Sequence, residues 1–128
     1  MSVELTMLFY SLLLFFVTIL IPATEGILKV GLAPMAGPRD DLQEPSTYNK
    51  RATRLRNNMA ENLLLFGGLV LVANAAEVST ANTVLGAQIF FYARAAHAVF
   101  YLGGWPWVRT MAWMVSVVGM GMIALPLL

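Results

Sequence analysis

Cysteine is absent from this 128-residue chain, histidine occurs once, and charged residues make up only 12% of the sequence. The absence of cysteine excludes disulfides, thiolate metal sites and a protein thiol that acts as a nucleophile. The lone His97 argues against a histidine metal site within one chain, so no metal site is predicted. Any thiol chemistry would therefore need a ligand that brings its own sulfur.

The scarcity of charge also sets the class of protein. An ordinary soluble domain has about 25% charged residues, whereas this chain is 59% hydrophobic with a mean hydropathy of +0.71. We therefore expect an integral membrane protein whose main surroundings are the lipid bilayer, and no nucleic-acid partner. The length fits a single domain, residues 1–128, with room for about four membrane-spanning helices.

Four apolar segments, separated by residues typical of turns, predict the secondary structure. The expected fold is an all-α integral membrane protein with a bundle of four transmembrane helices. The predicted spans cover residues about 5–30, 48–76, 83–102 and 107–127.

The first apolar segment resembles a signal peptide only in its hydrophobicity. It has Glu4 at its start, where a signal peptide has basic residues, and no small-residue cleavage site follows it. We therefore expect a retained membrane span. Near its end, Glu25 and Lys29 are four residues apart, a spacing that allows an ion pair on one helix face.

The first connection, residues 31–47, is rich in proline, glycine and charge and is predicted to be a loop. Ser46 or Thr47 can cap the helix that follows. All eight basic residues lie near the ends of spans that this topology brings to one membrane face. Short loops rich in lysine and arginine stay cytoplasmic, so the loop 31–47 and the turn 102–107 are predicted to be cytoplasmic, with both termini on the opposite side.

Two of the predicted spans carry a narrow polar stripe. On a helix with 100° per residue, the second-span stripe fills an arc of about 80° and the third-span stripe an arc of about 60°. The second-span stripe consists of Arg51, Arg54, Asn58 and Glu61, and the third-span stripe consists of Arg94, His97 and Tyr101.

Arg94 is predicted to lie about 12 Å inside its span, where an unpaired charge costs at least ~2.5 kcal/mol. Glu61 is the expected partner. One interpretation is a simple interhelical ion pair. The other follows from the further cations nearby, including Arg109, because a cavity with more cations than carboxylates favours an anionic ligand.

Some of these polar residues also have simpler interpretations. Arg51 and Arg56 can be flanking charges that set the topology and contact lipid headgroups. His97 can be a hydrogen-bond partner between helices. These alternatives stay open at the level of sequence.

The motifs "RLRNNMAEN" and "ARAAHAVFYLGGWPWVRT" resemble those of the MAPEG family, the membrane-associated proteins in eicosanoid and glutathione metabolism. The resemblance extends over nearly the whole chain. It covers the Arg-x-x-x-Asn-x-x-Glu pattern on the second span and the Arg-x-x-His-x-x-x-Tyr pattern on the third. Family members are homotrimers of four-helix subunits that bind glutathione at subunit interfaces.

The resemblance implies roles for individual residues. Glu61 would accept a hydrogen bond from the glutathione amino group, Arg109 would stabilise the thiolate, and Thr110 stands where some members have serine. Lys29 matches a basic residue that several members have at the end of the first span. The implied glutathione-binding set is Lys29, Arg51, Arg54, Asn58, Glu61, Arg94, His97 and Tyr101. One departure is Asn57, which stands where some members have a basic residue.

The leading functional hypothesis is a glutathione-dependent transferase or peroxidase that acts on a lipophilic small-molecule electrophile. The alternative is a non-catalytic membrane protein that binds a lipid or another anionic amphiphile, since fold does not determine activity. A third hypothesis is that the polar residues only hold the helices together.

Overall fold

The computed structural model describes residues 1–38 and 44–128, and the described residues are helical apart from caps and connections. This confirms the all-α prediction. In order, the helices are α1 (Val3–Val30), α2 (Leu32–Ala36), α3 (Thr47–Ala75), α4 (Ala81–Gly103) and α5 (Pro106–Ala124), followed by a 3₁₀ turn, Leu125–Leu127.

The prediction of a loop over residues 31–47 was partly wrong. The short helix α2 lies within it, and α1 and α2 meet at Gly31, where φ is +93°, a backbone angle that glycine adopts without steric cost. Residues 39–43, which include one of the eight basic residues, lie outside the described part of the chain.

Local side chains determine where the long helices begin. Ser46, one of the two residues proposed as a cap, is the N-cap of α3 and accepts a hydrogen bond from the Asn49 backbone N–H at 3.0 Å. Thr80 and Thr83 form a capping box at the start of α4. Each arrangement satisfies backbone N–H groups that have no partner inside the helix.

Three helices in the described residues are long and apolar enough to cross a membrane: α1, α3, and α5 with its 3₁₀ extension. The chain is an integral membrane protein. The fourth long helix, α4, has 23 residues, but its most apolar stretch is less apolar than those of these three, since it contains the polar residues of the third predicted span. Its crossing of the membrane stays a prediction.

The bundle is packed most closely between α4 and α5. Gly86 and Gly119 bring the two backbones together, because a Cβ atom on Gly119 would lie 2.7 Å from the Gly86 carbonyl oxygen. Phe66 of α3 and Phe90 of α4 stack with ring centroids 3.9 Å apart. Around these rings the core contains Met7, Leu8, Met59, Leu63, Val70, Ala73, Ala87, Met120 and Ile123.

Contacts between helices define two ends of the bundle. At one end, which we call the basic end, the Asn49 side chain donates a hydrogen bond to the Pro22 carbonyl oxygen at 3.0 Å. At the other end, the Asn82 side chain donates to the Met122 carbonyl oxygen, also at 3.0 Å. Seven lysines and arginines in the described residues lie on the segments nearer the basic end: Lys29, Lys50, Arg51, Arg54, Arg56, Arg94 and Arg109.

Candidate ligand site at the basic end

Arg94 is the centre of the candidate site. Its side chain is only 1% exposed, and its Nη2 donates a hydrogen bond to Asn58 Oδ1 at 2.7 Å. The prediction that Glu61 neutralises Arg94 was wrong. Among the described residues the ion pair within 4 Å is Lys50–Glu44, and Glu61 is exposed.

The helical positions of the α3 residues explain this difference. The buried face of α3 includes Ala52, Leu55, Met59 and Phe66. Asn58 lies next to that face, whereas Glu61 is about 60° farther around the helix, away from it. A polar residue beside the core therefore becomes the partner of the buried guanidinium.

Asn62 belongs to the same network and was not predicted from the sequence. It is 8% exposed, and its Nδ2 donates to the Asn58 backbone carbonyl at 2.8 Å and to Asn58 Oδ1 at 3.4 Å. The signal that could have identified it is its position one helical turn after Asn58. Asn62 restrains the amide group that binds Arg94.

The other residues of the third-span stripe, which lies on α4 and is called the α4 stripe below, continue the site toward α5. The rings of His97 and Tyr101 have centroids 5.5 Å apart. The Arg109 guanidinium carbon lies 4.6 Å from the centroid of the Tyr101 ring, a distance at which the cation is attracted to the aromatic face. Tyr101 thus contacts both His97 and Arg109, and the buried Arg94 lies about one turn before His97 on α4, so these four residues form one group.

This group contains polar atoms that the described protein atoms do not satisfy. Arg94 Nε and Nη1 and His97 Nδ1 are buried and have no hydrogen-bond partner among the described residues. Buried polar groups in proteins are nearly always hydrogen-bonded, and a buried guanidinium without a carboxylate is especially costly. The arrangement is therefore suited to a ligand that supplies negatively charged oxygen acceptors.

The second-span stripe lies on α3 and is called the α3 stripe below. Its residues other than Asn58 are more accessible. Arg54 and Glu61 are exposed, and Arg51 is half-buried. The Arg51 guanidinium packs against Gly104, the left-handed C-cap of α4, since a Cβ on Gly104 would lie 3.1 Å from Arg51 Cζ. Arg51 therefore contacts the turn that leads to Arg109, in addition to its predicted role toward a ligand.

Thr110 lies one residue after Arg109 in the first part of α5. Its hydroxyl donates a hydrogen bond to the Pro106 carbonyl oxygen at 2.9 Å, and the residue is exposed. The hydroxyl hydrogen is thus used within the helix, and the oxygen lone pairs stay available as acceptors.

Lys29 is one predicted site residue that the single chain does not bring to this group. It lines a separate cavity of about 430 Å³ between α1, α2 and the start of α3, which Glu25 and Arg56 also line. The Glu25–Lys29 ion pair that the spacing allows does not form in the described residues: the Glu25 carboxylate accepts hydrogen bonds from Ser46 Oγ and Asn49 Nδ2.

Glu44 lies on the rim of this cavity, outside the membrane-spanning helices. Lys50 donates a hydrogen bond to it, and that hydrogen bond together with the lysine charge lowers the pKa of the Glu44 carboxyl group. Both side chains are exposed, so the pair contributes little to stability.

The comparison with protein families adds an independent finding to this geometry. The MAPEG family matches residues 4–128, nearly the whole chain. The chain belongs to the MAPEG family. Among individual curated proteins, none matches it.

Membership in the MAPEG family indicates the general class of function. MAPEG proteins are membrane-associated proteins with glutathione-related transferase or peroxidase activity or eicosanoid-type functions. They generally use glutathione as a substrate or cofactor and are generally trimeric. The family assignment confirms the resemblance recognised in the two sequence motifs.

Proposed function

We propose that this MAPEG protein is a membrane-bound glutathione-dependent transferase or peroxidase that acts on lipophilic electrophiles. The observation that supports the proposal best is Arg94, a buried cation that has an amide rather than a carboxylate as its partner. Its two remaining nitrogens are buried without partners among the described residues. Glutathione carries two carboxylates, so its chemistry fits this set of donors.

The α3 stripe would hold the polar groups of glutathione. Asn58 Oδ1 already accepts a hydrogen bond from Arg94, which leaves the Asn58 Nδ2 group to donate to the ligand. Arg54 would pair with a carboxylate, and Glu61 would accept from the amino group. Both are exposed at the basic end. His97 and Tyr101 would complete the site from α4.

Arg109 is proposed to stabilise the thiolate. When bound, glutathione supplies the sulfur nucleophile that this cysteine-free chain lacks. The Arg109 guanidinium is held over the Tyr101 ring and is close to the N-terminus of α5, the positive end of that helix. Both positive charges favour a thiolate over a thiol. Thr110 would assist by positioning the ligand sulfur.

A homotrimer would complete the site. Arg54 and Glu61 are exposed in the single chain, and Lys29 lines a cavity away from the Arg94 group. In a trimer, Lys29 of one subunit could serve the site of its neighbour while the interface covers the exposed stripe. Trimers are general in the family, and the proposal extends that arrangement to this chain.

The same geometry supports a second candidate function. A buried cation with free donors would also bind the headgroup of a lipid or another anionic amphiphile, without any catalytic step. Arg109 would then contribute charge only. The two candidates differ in whether the protein changes the ionisation of a bound thiol.

The test is a glutathione titration of the purified protein in detergent. Heat of binding measures affinity, and the ultraviolet absorbance band of the thiolate measures ionisation. We expect the wild type to bind glutathione and to show the band. Arg109→Ala should lose most of the band, because the charge beside the sulfur is removed.

Lys50→Ala is the matched control, since it also removes one basic residue from the basic end but only breaks the surface pair with Glu44. It should keep both binding and the thiolate band. Failure of the wild type to bind at millimolar glutathione would contradict the proposal. Binding without a band, unchanged in Arg109→Ala, would favour the non-catalytic function.

A further inference from the structure

Arg109, the residue proposed to stabilise the thiolate, is held by an aromatic ring. Its guanidinium carbon lies 4.6 Å from the centroid of the Tyr101 ring, and the residue is half-buried. The ion pair within 4 Å in the described part of the chain is Lys50–Glu44, so Arg109 has no carboxylate within that distance there. Among the described residues, the face of Tyr101 is therefore the contact that restrains the guanidinium.

The turn between α4 and α5 brings these two residues together. Gly104 has a φ of +76°, which glycine adopts without steric cost, and its backbone N–H donates to the Tyr101 carbonyl oxygen at 3.1 Å. The Trp105 N–H donates to the Phe100 carbonyl oxygen, also at 3.1 Å. These two hydrogen bonds close the C-terminus of α4, so α5 starts beside the last turn of α4. Arg109, in the first turn of α5, therefore lies over Tyr101.

A buried neighbour restrains the ring itself. His97, one turn before Tyr101 on α4, is 3% exposed, and the two ring centroids are 5.5 Å apart. The Tyr101 ring thus contacts a buried residue as well as the half-buried Arg109. The position of the guanidinium therefore depends on the packing of the ring inside the bundle.

We propose that Tyr101 is a positioning residue whose ring, rather than its hydroxyl, holds Arg109 where it stabilises the thiolate of bound glutathione. This role rests on the proposed function and goes beyond the ligand contact that the motif implies for Tyr101. A ring attracts a cation through the negative charge on its face, but it does not cancel the positive charge, as a carboxylate would. The N–H groups at the edge of the guanidinium then stay available for the sulfur.

Other cations nearby explain why Arg109 needs this restraint. The Arg51 guanidinium packs against Gly104 in the same turn, and the buried Arg94 lies about two turns before Tyr101 on α4. Like charges repel one another, and a long arginine side chain extends toward water when nothing holds it. Loss of the ring should therefore move the positive charge away from the ligand sulfur.

The test is the pH dependence of the thiolate absorbance band, measured in detergent with purified protein saturated with glutathione. The spectra of the ligand-free protein and of free glutathione are subtracted at each pH, because tyrosines also ionise, at about pH 10. Tyr101→Leu removes the ring and should lower the ratio of thiolate to thiol at neutral pH by about tenfold or more, the effect of losing a nearby opposite charge. Tyr101→Phe keeps the ring and should keep the wild-type ratio, even if its affinity for glutathione changes.

Tyr92→Leu is the matched control, because it makes the same change on the opposite face of α4, where Tyr92 is 65% exposed. Its ratio should equal that of the wild type. An unchanged ratio in Tyr101→Leu would overturn the proposal, as would a lowered ratio in Tyr101→Phe, because the hydroxyl would then be responsible. Tyr101→Phe still decides between ring and hydroxyl if Tyr101→Leu fails to fold. A wild-type protein without the band would instead overturn the proposed function, and the role of Tyr101 with it.

Discussion

At the scale of single residues, the clearest feature is the contact between Arg94 and Asn58. A guanidinium buried to 1% exposure is held by the neutral Asn58 amide oxygen. An amide satisfies one nitrogen without neutralising the charge. The positive charge is thus retained inside the bundle, and an anionic ligand could be attracted to it.

We predict that Asn58→Ala destabilises the protein by about 1–3 kcal/mol, because it leaves another buried Arg94 nitrogen without a partner. The free energy of unfolding in detergent, from a denaturant titration, measures the loss. Asn57→Ala is the control, since Asn57 is exposed and its side-chain oxygen accepts hydrogen bonds from its chain neighbour Arg56. Its effect should stay within about 0.5 kcal/mol. Equal losses in the two variants would mean that the Arg94 contact does not stabilise the fold.

At the scale of helices, the bundle depends on the close approach of α4 and α5. Gly86 and Gly119 let the two backbones meet, and an added methyl group at Gly119 would also lie 2.9 Å from the Phe90 backbone nitrogen. Backbone atoms cannot move aside as a flexible side chain can. This contact holds α5, and therefore Arg109, in position beside Tyr101 on α4.

We predict that Gly119→Ala lowers the free energy of unfolding by about 1–3 kcal/mol through overpacking. Gly121→Ala is a matched control in the same helix, because no atom lies within 4 Å of its added Cβ. Alanine has a higher helix propensity than glycine by up to ~1 kcal/mol, so this control should be neutral or stabilising. Thermal unfolding of the two variants in one detergent gives the comparison. A Gly119→Ala variant as stable as Gly121→Ala would contradict the close packing.

At the scale of the whole molecule, charge is separated between the two ends of the bundle. The described basic residues gather toward one end, while Glu4 and Glu77 line a cavity at the other. Under the positive-inside rule the basic end should be cytoplasmic. The proposed glutathione site would then lie toward the cytoplasmic face.

The absence of cysteine allows a direct test of this orientation. We predict that a membrane-impermeant maleimide labels Ala76→Cys in intact cells, because Ala76 is exposed at the end opposite the basic residues. Gly37→Cys, exposed beside α2 at the basic end, should be labelled only after the cells are lysed. The reverse pattern would show that the topology is inverted.

The composition and periodicity of the sequence predicted much of this structure. Long apolar segments predicted the helices, and the positions of Arg94, His97 and Tyr101 predicted one polar stripe that the structure keeps together. These properties depend on residues that are close in the chain. In a helix, the number of residues between two side chains determines whether they lie on the same face. The MAPEG family was suggested by the resemblance of two motifs to that family, and the family comparison confirmed it.

Tertiary structure alone decided which polar groups meet. The sequence indicated Glu61 as the partner of Arg94, but the rotation of α3 against the core placed Asn58 next to Arg94 and left Glu61 exposed. In the same way, α1 brought Glu4 to Ser79, 75 residues away. Such pairings depend on how helices rotate and pack against one another, which the pattern within a single helix does not determine.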